Sequence, residues 1–412
     1  MPPVYLDYNA TAPLRPGVGA IMAQTAEAFP GNPSSPHAFG QAARTELERL
    51  RREFATLLGV SAAQVVWTSG GSEANNALLQ TLLRLPPGPK PHHVIVSAIE
   101  HPSVLRTVEW LTQEWEAGTP APRMEVSYLP VTPQGQVKVE ALAQLLRPET
   151  RLVSVMAVNN ETGIIQPLGA VREALNAHQQ ATGQPVWLHS DAVQALGRVE
   201  APLLALNATG PHALTLAAHK LGGPKGIGAL VLAENFSLAR APEPKASGIP
   251  ALVLGGAQER GRRAGTESLP LVAGFVAAAK AAMQGQNALN AQLANYKQQL
   301  LQGMAHLPGF FVSGDSGTIK AAVPHTLNFG FAGVSAQSLL VALDLAGYAL
   351  STGSACSSGA LTPSHVLLAM GMPKAQASCA LRLSMGFGTT PQDIAGFLGA
   401  LTQEVQRLAP KA

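Results

Sequence analysis

Short apolar runs alternate with longer, helix-like stretches between Val65 and Leu232. The runs VVW, HVIVS, RLVSVMAV, VWLHS, ALTLAA and IGALVL are the predicted strands. Strands that alternate with helices imply a mainly parallel sheet covered on both faces. Ligands of such sheets bind beyond the carboxyl ends of the strands, and here polar motifs follow the strands repeatedly. After Arg263 the pattern changes. A long Ala/Leu/Gln-rich helical stretch runs to about His306, followed by the strand TLNFGF, a helix from about Ser335 to Leu345, a loop of small residues around Cys356, the strand LRLS and a final amphipathic helix. This part reads as a smaller α+β domain attached to a large α/β domain. The Pro-rich stretches LPPGPKPHH and RAPEPKASGIP read as surface loops, because strand patterns resume on both sides. No internal repeat or coiled-coil heptad is visible.

The 412 residues exceed what one core usually supports, in keeping with two domains. Apolar residues make up 46% and charged residues 13%, which argues against disorder. The net charge is only +3 and the basic residues are dispersed, so no nucleic-acid partner is expected. The start MPPVYLDYNATAP lacks a basic segment followed by an apolar one, and the apolar stretch LPLVAGFVAAAKAAM meets Lys280 short of a membrane span. A soluble, untargeted, cytoplasmic protein is expected, without membrane contact. The only two cysteines, Cys356 and Cys379, lie in different settings and suggest neither a disulfide framework nor a metal cluster.

The candidate chemistry centres on His219 and Lys220, delivered by ALTLAA into the glycine-rich GGPKGIGAL. A lysine held where a buried strand meets such a turn can lose its proton and attack a carbonyl. Alone, the pair reads better as a surface lysine beside a glycine turn. Asp191 and Gln194 follow the preceding strand, and an acid, an amide and an amine at successive strand ends suit pyridoxal phosphate. In TSGGSEANNALL, Gly70, Gly71 and Ser72 outline a phosphate cradle at a helix start. GPKGIGA lacks the GK[ST] ending of a nucleotide P-loop. His101, after HVIVS, can stack on a planar ligand or shuttle protons. Asn159, Asn160, Glu161 and Gly163 form a polar cluster in which one amide faces the ligand and Glu161 caps or braces the loop. In STGSACSSGALTPSH, Cys356 is either an accessible nucleophile or a small residue in a turn. Cys379 reads as packing, and Arg382 as a carboxylate clamp or an ordinary ion pair.

Together the segments YLDYNATAP, GNPSSPHAFG, TSGGSEANN, EHPSVL, VNNETG, HSDAVQALG, AHKLGGPKGIGAL, GGAQERGRRAGTES, STGSACSSG and LRLSMG, in this order, resemble the NifS/IscS-like cysteine desulfurases, a class V group of fold-type I pyridoxal-phosphate enzymes. The resemblance implies a fold-type I transferase with a cofactor-binding domain at 14–262 and a small domain of 1–13 and 263–412 that carries the cysteine loop. It implies that Lys220 binds the cofactor as a Schiff base, His101 stacks on its ring, Asp191 pairs with the ring nitrogen and Gln194 contacts the phenolic oxygen. Asn160 would lie near that oxygen and the substrate. Gly71, Ser72 and His219 would surround the phosphate, with Thr266 reaching it from the other subunit of a homodimer. Arg382 would bind the carboxylate of L-cysteine, and Cys356 would take its sulfur as a persulfide for an acceptor such as an iron–sulfur scaffold or sulfur carrier protein. Two features depart from the family. Ala217 stands where a phosphate-binding serine is usual, and the end at LAPKA lacks the longer tail by which some relatives engage scaffolds. Other class V chemistries, such as selenocysteine lyase, cysteine-sulfinate desulfinase or aminotransferase, share the lysine but not dependence on Cys356. A non-catalytic sulfur-relay protein would share only the fold.

Overall fold

The computed structural model describes residues 3–86, 90–113, 124–237, 249–314, 322–353 and 362–409. Its strands are β1 (Val4–Tyr5), β2 (Val65–Thr68), β3 (His92–Ser97), β4 (Met124–Leu129), β5 (Thr150–Ser154), β6 (Trp187–Asp191), β7 (Ala213–Ala217), β8 (Gly228–Leu232), β9 (Phe310–Val312), β10 (Thr326–Phe331), β11 (Tyr348–Ala349) and β12 (Ala380–Ser384). A seven-stranded sheet has the order β2-β8-β7-β6-β5-β3-β4. The neighbours from β7 to β4 pair in parallel, and β8 alone runs against its two partners. All six strands predicted for this region are present, although RLVSVMAV leaves the sheet after Ser154. The sheet gains β4, which the sequence pattern did not suggest. As the edge strand, it buries only Met124 and Leu129, so MEVSYL carries no continuous apolar run.

Side chains alternate between two cores, as the pleat requires. Ile95, Val153, Leu214, Leu216 and Val231 join one apolar cluster, whereas Val94, Val96, Leu152, Leu230 and Leu232 join another on the opposite face. Burying each Val, Leu or Ile side chain contributes roughly 1.5–3 kcal/mol, so a sheet covered on both faces is held firmly enough to fix the loops at its edge. Helices Ala38–Leu58 and Leu269–Gln284 cover the first face, and Gly71–Gln80 and Pro102–Leu111 the second.

The long helical stretch after Arg263 is two helices, Leu269–Gln284 and Gln286–Met304, interrupted at Gly285. The first packs into the large-sheet core, whereas Leu293, Tyr296, Leu300 and Met304 of the second pack over the antiparallel sheet β12-β10-β9. That second core also takes in Leu6 near the N-terminus and Phe397, Leu401 and Val405 of the final helix, Pro391–Leu408. The first strand joins the same region, because β1 pairs with β11. Among the described residues no helix is long and apolar enough to cross a membrane.

Candidate active site

Six of the strands in the large sheet point the same way, so the turns that follow β2, β3, β5, β6 and β7 share one edge. After β7 a single tight turn, Ala218–Lys220, closes through Leu221 N–H to Ala218 O at 2.9 Å. Gly222 at φ +82° then lets the chain double back, a conformation that glycine adopts without strain. The Lys220 Nζ donates to the carbonyls of Asn9 and Ala10, each at 2.7 Å. Burial pushes the neighbouring His219 imidazole down to about 4, helped by the positive charge of Lys220, so His219 is neutral near pH 7.

Asp191 ends β6. Its Oδ1 accepts from Val193 N–H at 3.0 Å and its Oδ2 from Asn75 Nδ2 at 2.8 Å. Asn75 also donates to Ser103 Oγ at 2.8 Å, and the Ser103 N–H donates to His101 Nδ1 at 3.1 Å. His101 caps the helix Pro102–Leu111 through that contact, which leaves the proton of the neutral ring on Nε2. Its pKa is lowered, mainly by burial and against the pull of Asp191.

Gly71 and Ser72 open the helix Gly71–Gln80 after β2, where the first N–H groups lack intrahelical partners. A Cβ at Gly71 would lie 2.9 Å from Val193 Cγ2, so glycine keeps this cradle open. The Gln194 Nε2 donates to Asn9 O at 3.0 Å, and its Oε1 accepts from Arg198. Arg198 also donates to Lys220 O at 2.7 Å. On β12, Arg382 pairs with Asp7 at 2.8 Å and donates to Asn160 O at 3.1 Å, while its Nε–H is buried without an acceptor among the described residues.

One cavity of about 400 Å³ brings these groups together: Gly71, Ser72, His101, Asn160, Asp191, Gln194, His219, Lys220 and Arg382 all line it, with Asn9, Ala10, Ser103, Val193, Ala217 and Gly353. The donor set suits a planar ligand with an aldehyde for the lysine, a ring nitrogen for the carboxylate and a phosphate for the helix N-terminus. The guanidinium of Arg382, at the wall of the same cavity, suits a second anion.

Residues 4–397 match the aminotransferase class-V family. The chain is 34% identical over 405 residues to the cysteine desulfurase IscS of Clostridium botulinum (strain Kyoto / Type A2), covering 98% of this chain and 94% of that protein. The solved structure of a NifS-like protein superposes with a TM-score of 0.85 at 28% identity, covering 98% of this chain and all of the other. The protein SspA, solved in complex with cysteine, gives a TM-score of 0.74 at 28% identity over 93% of this chain and 98% of its own. The chain belongs to the cysteine desulfurases.

Cysteine desulfurases of this class are pyridoxal-phosphate enzymes, and the donor chemistry of the residues lining the cavity fits that cofactor. Ala217 lines the cavity beside Gly71 and brings no hydroxyl to the cradle wall. Thr266 is exposed, accepts from Asn32 Nδ2 at 3.4 Å and does not line this cavity within its own chain. It follows a segment in which Glu259 and Arg260 take left-handed conformations, held by the buried pair of Glu259 with Arg51 at 2.7 Å. Cys356 lies outside the described residues. Cys379 is half-buried, with its thiol 3.4 Å from Ala375 O. Sequence reasoning missed Asn75, Ser103, Asn9 and Arg198. Asn75 was accessible in principle, since it lies one helical turn beyond Gly71 and so shares its face. The carbonyls of Asn9 and Ala10 carry no side-chain signal.

Proposed function

We propose that this protein converts L-cysteine to L-alanine and hands the sulfur, as a persulfide on Cys356, to an acceptor protein. The reading is supported by the single cavity shared by Lys220, Asp191, His101 and Arg382, together with end-to-end similarity to cysteine desulfurases. Bound pyridoxal phosphate supplies an aldehyde carbon that captures the substrate amine and a protonated ring that draws electrons from it. Asp191, oriented by Asn75 and the Val193 N–H, holds that ring proton. His101 would stack on the ring as a neutral imidazole, and Gln194 and Asn160 would meet its phenolic oxygen. Gly71, Ser72 and His219 would take the phosphate, and Thr266 of the other protomer would complete the cradle in a homodimer.

Lys220 would hold the cofactor at rest and, as a free base, would remove the substrate's Cα proton. Arg382 anchors the substrate carboxylate. The Cys356 thiolate attacks the substrate sulfur. An S–S bond would form and the substrate C–S bond break with its electron pair left on the carbon skeleton, which would take up one proton at Cβ, regain one at Cα in place of the proton removed, and leave as alanine. The acceptor class is an iron–sulfur scaffold or a sulfur carrier, and the setting is the cytoplasm. In domain terms, residues 14–262 bind the cofactor, while 1–13 and 263–412 carry Arg382 and Cys356, with the helix Leu269–Gln284 as the seam against the large core.

Borohydride reduction of the holoenzyme followed by peptide mapping tests the reading. The cofactor should be fixed to Lys220, and Lys220→Ala should lose both this linkage and alanine formation. Cysteine turnover by Lys220→Ala at the parent rate would overturn it.

A further inference from the structure

Glu161 follows Asn160 in the loop after β5, and none of the steps above uses it. It is 2% exposed. Its N–H donates to Asn159 Oδ1 at 2.9 Å, and its carbonyl accepts from Asn328 Nδ2 at 3.4 Å, which ties the loop to β10. Its carboxylate Oε2 accepts from the Ser364 hydroxyl at 2.5 Å. Ser364 Oγ in turn accepts from the Leu367 N–H at 3.2 Å and so caps the helix His365–Ala369.

The same Oε2 lies against Gly353, where a Cβ would come within 2.0 Å of it. Only glycine admits the carboxylate there. Gly353 and Ser364 bracket the segment 354–361 that contains Cys356. The leading stem is fixed to β12 as well, through Ser351 N–H to Arg382 O at 3.2 Å and Arg382 N–H to Ser351 O at 2.7 Å. One carboxyl therefore touches the last described residue before the cysteine segment and the cap just after it, while its backbone adjoins a residue of the cavity. Burying a carboxyl is costly, and desolvation raises the Glu161 pKa against the opposing effects of Ser364, His365 and Arg382. Apolar packing does not explain its position.

We propose that Glu161 is a positioning residue for sulfur transfer, setting both ends of the Cys356 segment relative to Asn160 and the bound substrate. The proposal rests on Cys356 being the sulfur acceptor. It predicts that loss of the carboxyl leaves cofactor and substrate binding in place and slows the transfer itself, because small misplacements of a reacting group cost roughly 10²-fold.

The test uses full-length holoenzyme carrying Glu161→Ala, Glu161→Gln, Ser364→Ala or Cys356→Ser. It measures cofactor content, the KM for cysteine, single-turnover persulfide formation on Cys356 by mass spectrometry, and the rate at which iodoacetamide alkylates Cys356. Glu161→Ala should keep its cofactor and KM, form persulfide roughly 10- to 100-fold more slowly and alkylate faster. Glu161→Gln should recover most of the transfer rate, because its amide oxygen still accepts from Ser364. A residue needed only for folding would instead lower cofactor content along with the rate. Parental transfer and alkylation rates in Glu161→Ala, or a Gln variant as slow as the Ala variant, would overturn the proposal. If Glu161→Ala fails to fold, Ser364→Ala carries the same expectations. Parental alanine formation by Cys356→Ser would overturn the desulfurase reading itself, whereas an inactive Cys356→Ser beside a fully active Glu161→Ala would remove only the role of Glu161.

Discussion

Arg382 lines the cavity while one N–H of Nη2 goes to Asp7 and one of Nη1 to Asn160 O, which holds the guanidinium in place for an incoming carboxylate. Arg382→Ala should therefore raise the KM for cysteine while Lys220 still binds the cofactor. A lost charge-assisted hydrogen bond is worth about 1.5–3 kcal/mol, or roughly 10- to 100-fold in affinity. Steady-state kinetics check this, and an unchanged KM would mean that the carboxylate is held elsewhere. Because Asp7 would lose its partner, a modest fall in melting temperature should accompany the change. At this scale the sequence exposed the side chains at strand ends, since acid, amine and imidazole in those positions carry a chemical signature. It did not expose Asn75 or Arg198, because an amide on a helix or an arginine after a strand gains its meaning only from what it touches.

β6 carries a buried His189 between Ser154 Oγ at 2.9 Å and Thr215 Oγ1 at 3.1 Å. Burial pushes its pKa from 6.5 down to about 4, so the folded state keeps this ring neutral where the unfolded chain protonates it. A depressed histidine pKa contributes stability above pH 6.5 that is lost as pH falls towards 4. By linkage this costs about 2 kcal/mol between pH 7 and pH 5. Denaturant titrations at the two pH values should show that the loss is smaller by about that amount in His189→Gln. An identical pH dependence in parent and variant would count against a neutral buried ring. At the scale of elements, hydropathy exposed the buried strands, because both faces of the sheet are covered and each of these strands holds a run of two or more apolar residues. The edge strand β4 escaped, since only its two end residues are buried, and the break at Gly285 escaped because the helical pattern continues on either side.

The exposed Thr266 leaves the phosphate cradle of one chain without it, so the proposed homodimer should complete the site in trans. Thr266→Ala should release cofactor faster on dilution. Mixing it with Lys220→Ala under conditions of subunit exchange should restore one slowly releasing site per heterodimer, because the chain with intact Lys220 then meets an intact Thr266. No recovery on mixing would place the threonine in its own chain's site or outside any site. The large parallel sheet with a smaller antiparallel one was legible from the change of pattern after Arg263, whereas the separate two-stranded pairing of β1 with β11 depends on contacts between remote segments of two residues each. The central claim is that sulfur passes from cysteine to Cys356. A single turnover with sulfur-labelled L-cysteine, followed by mass spectrometry of both cysteine peptides, tests it most directly. The account predicts labelled persulfide on Cys356 in step with alanine release, no alanine from Cys356→Ser despite normal cofactor and substrate binding, and near-parental turnover by Cys379→Ser. Label on Cys379, or alanine released by Cys356→Ser at the parent rate, would contradict it.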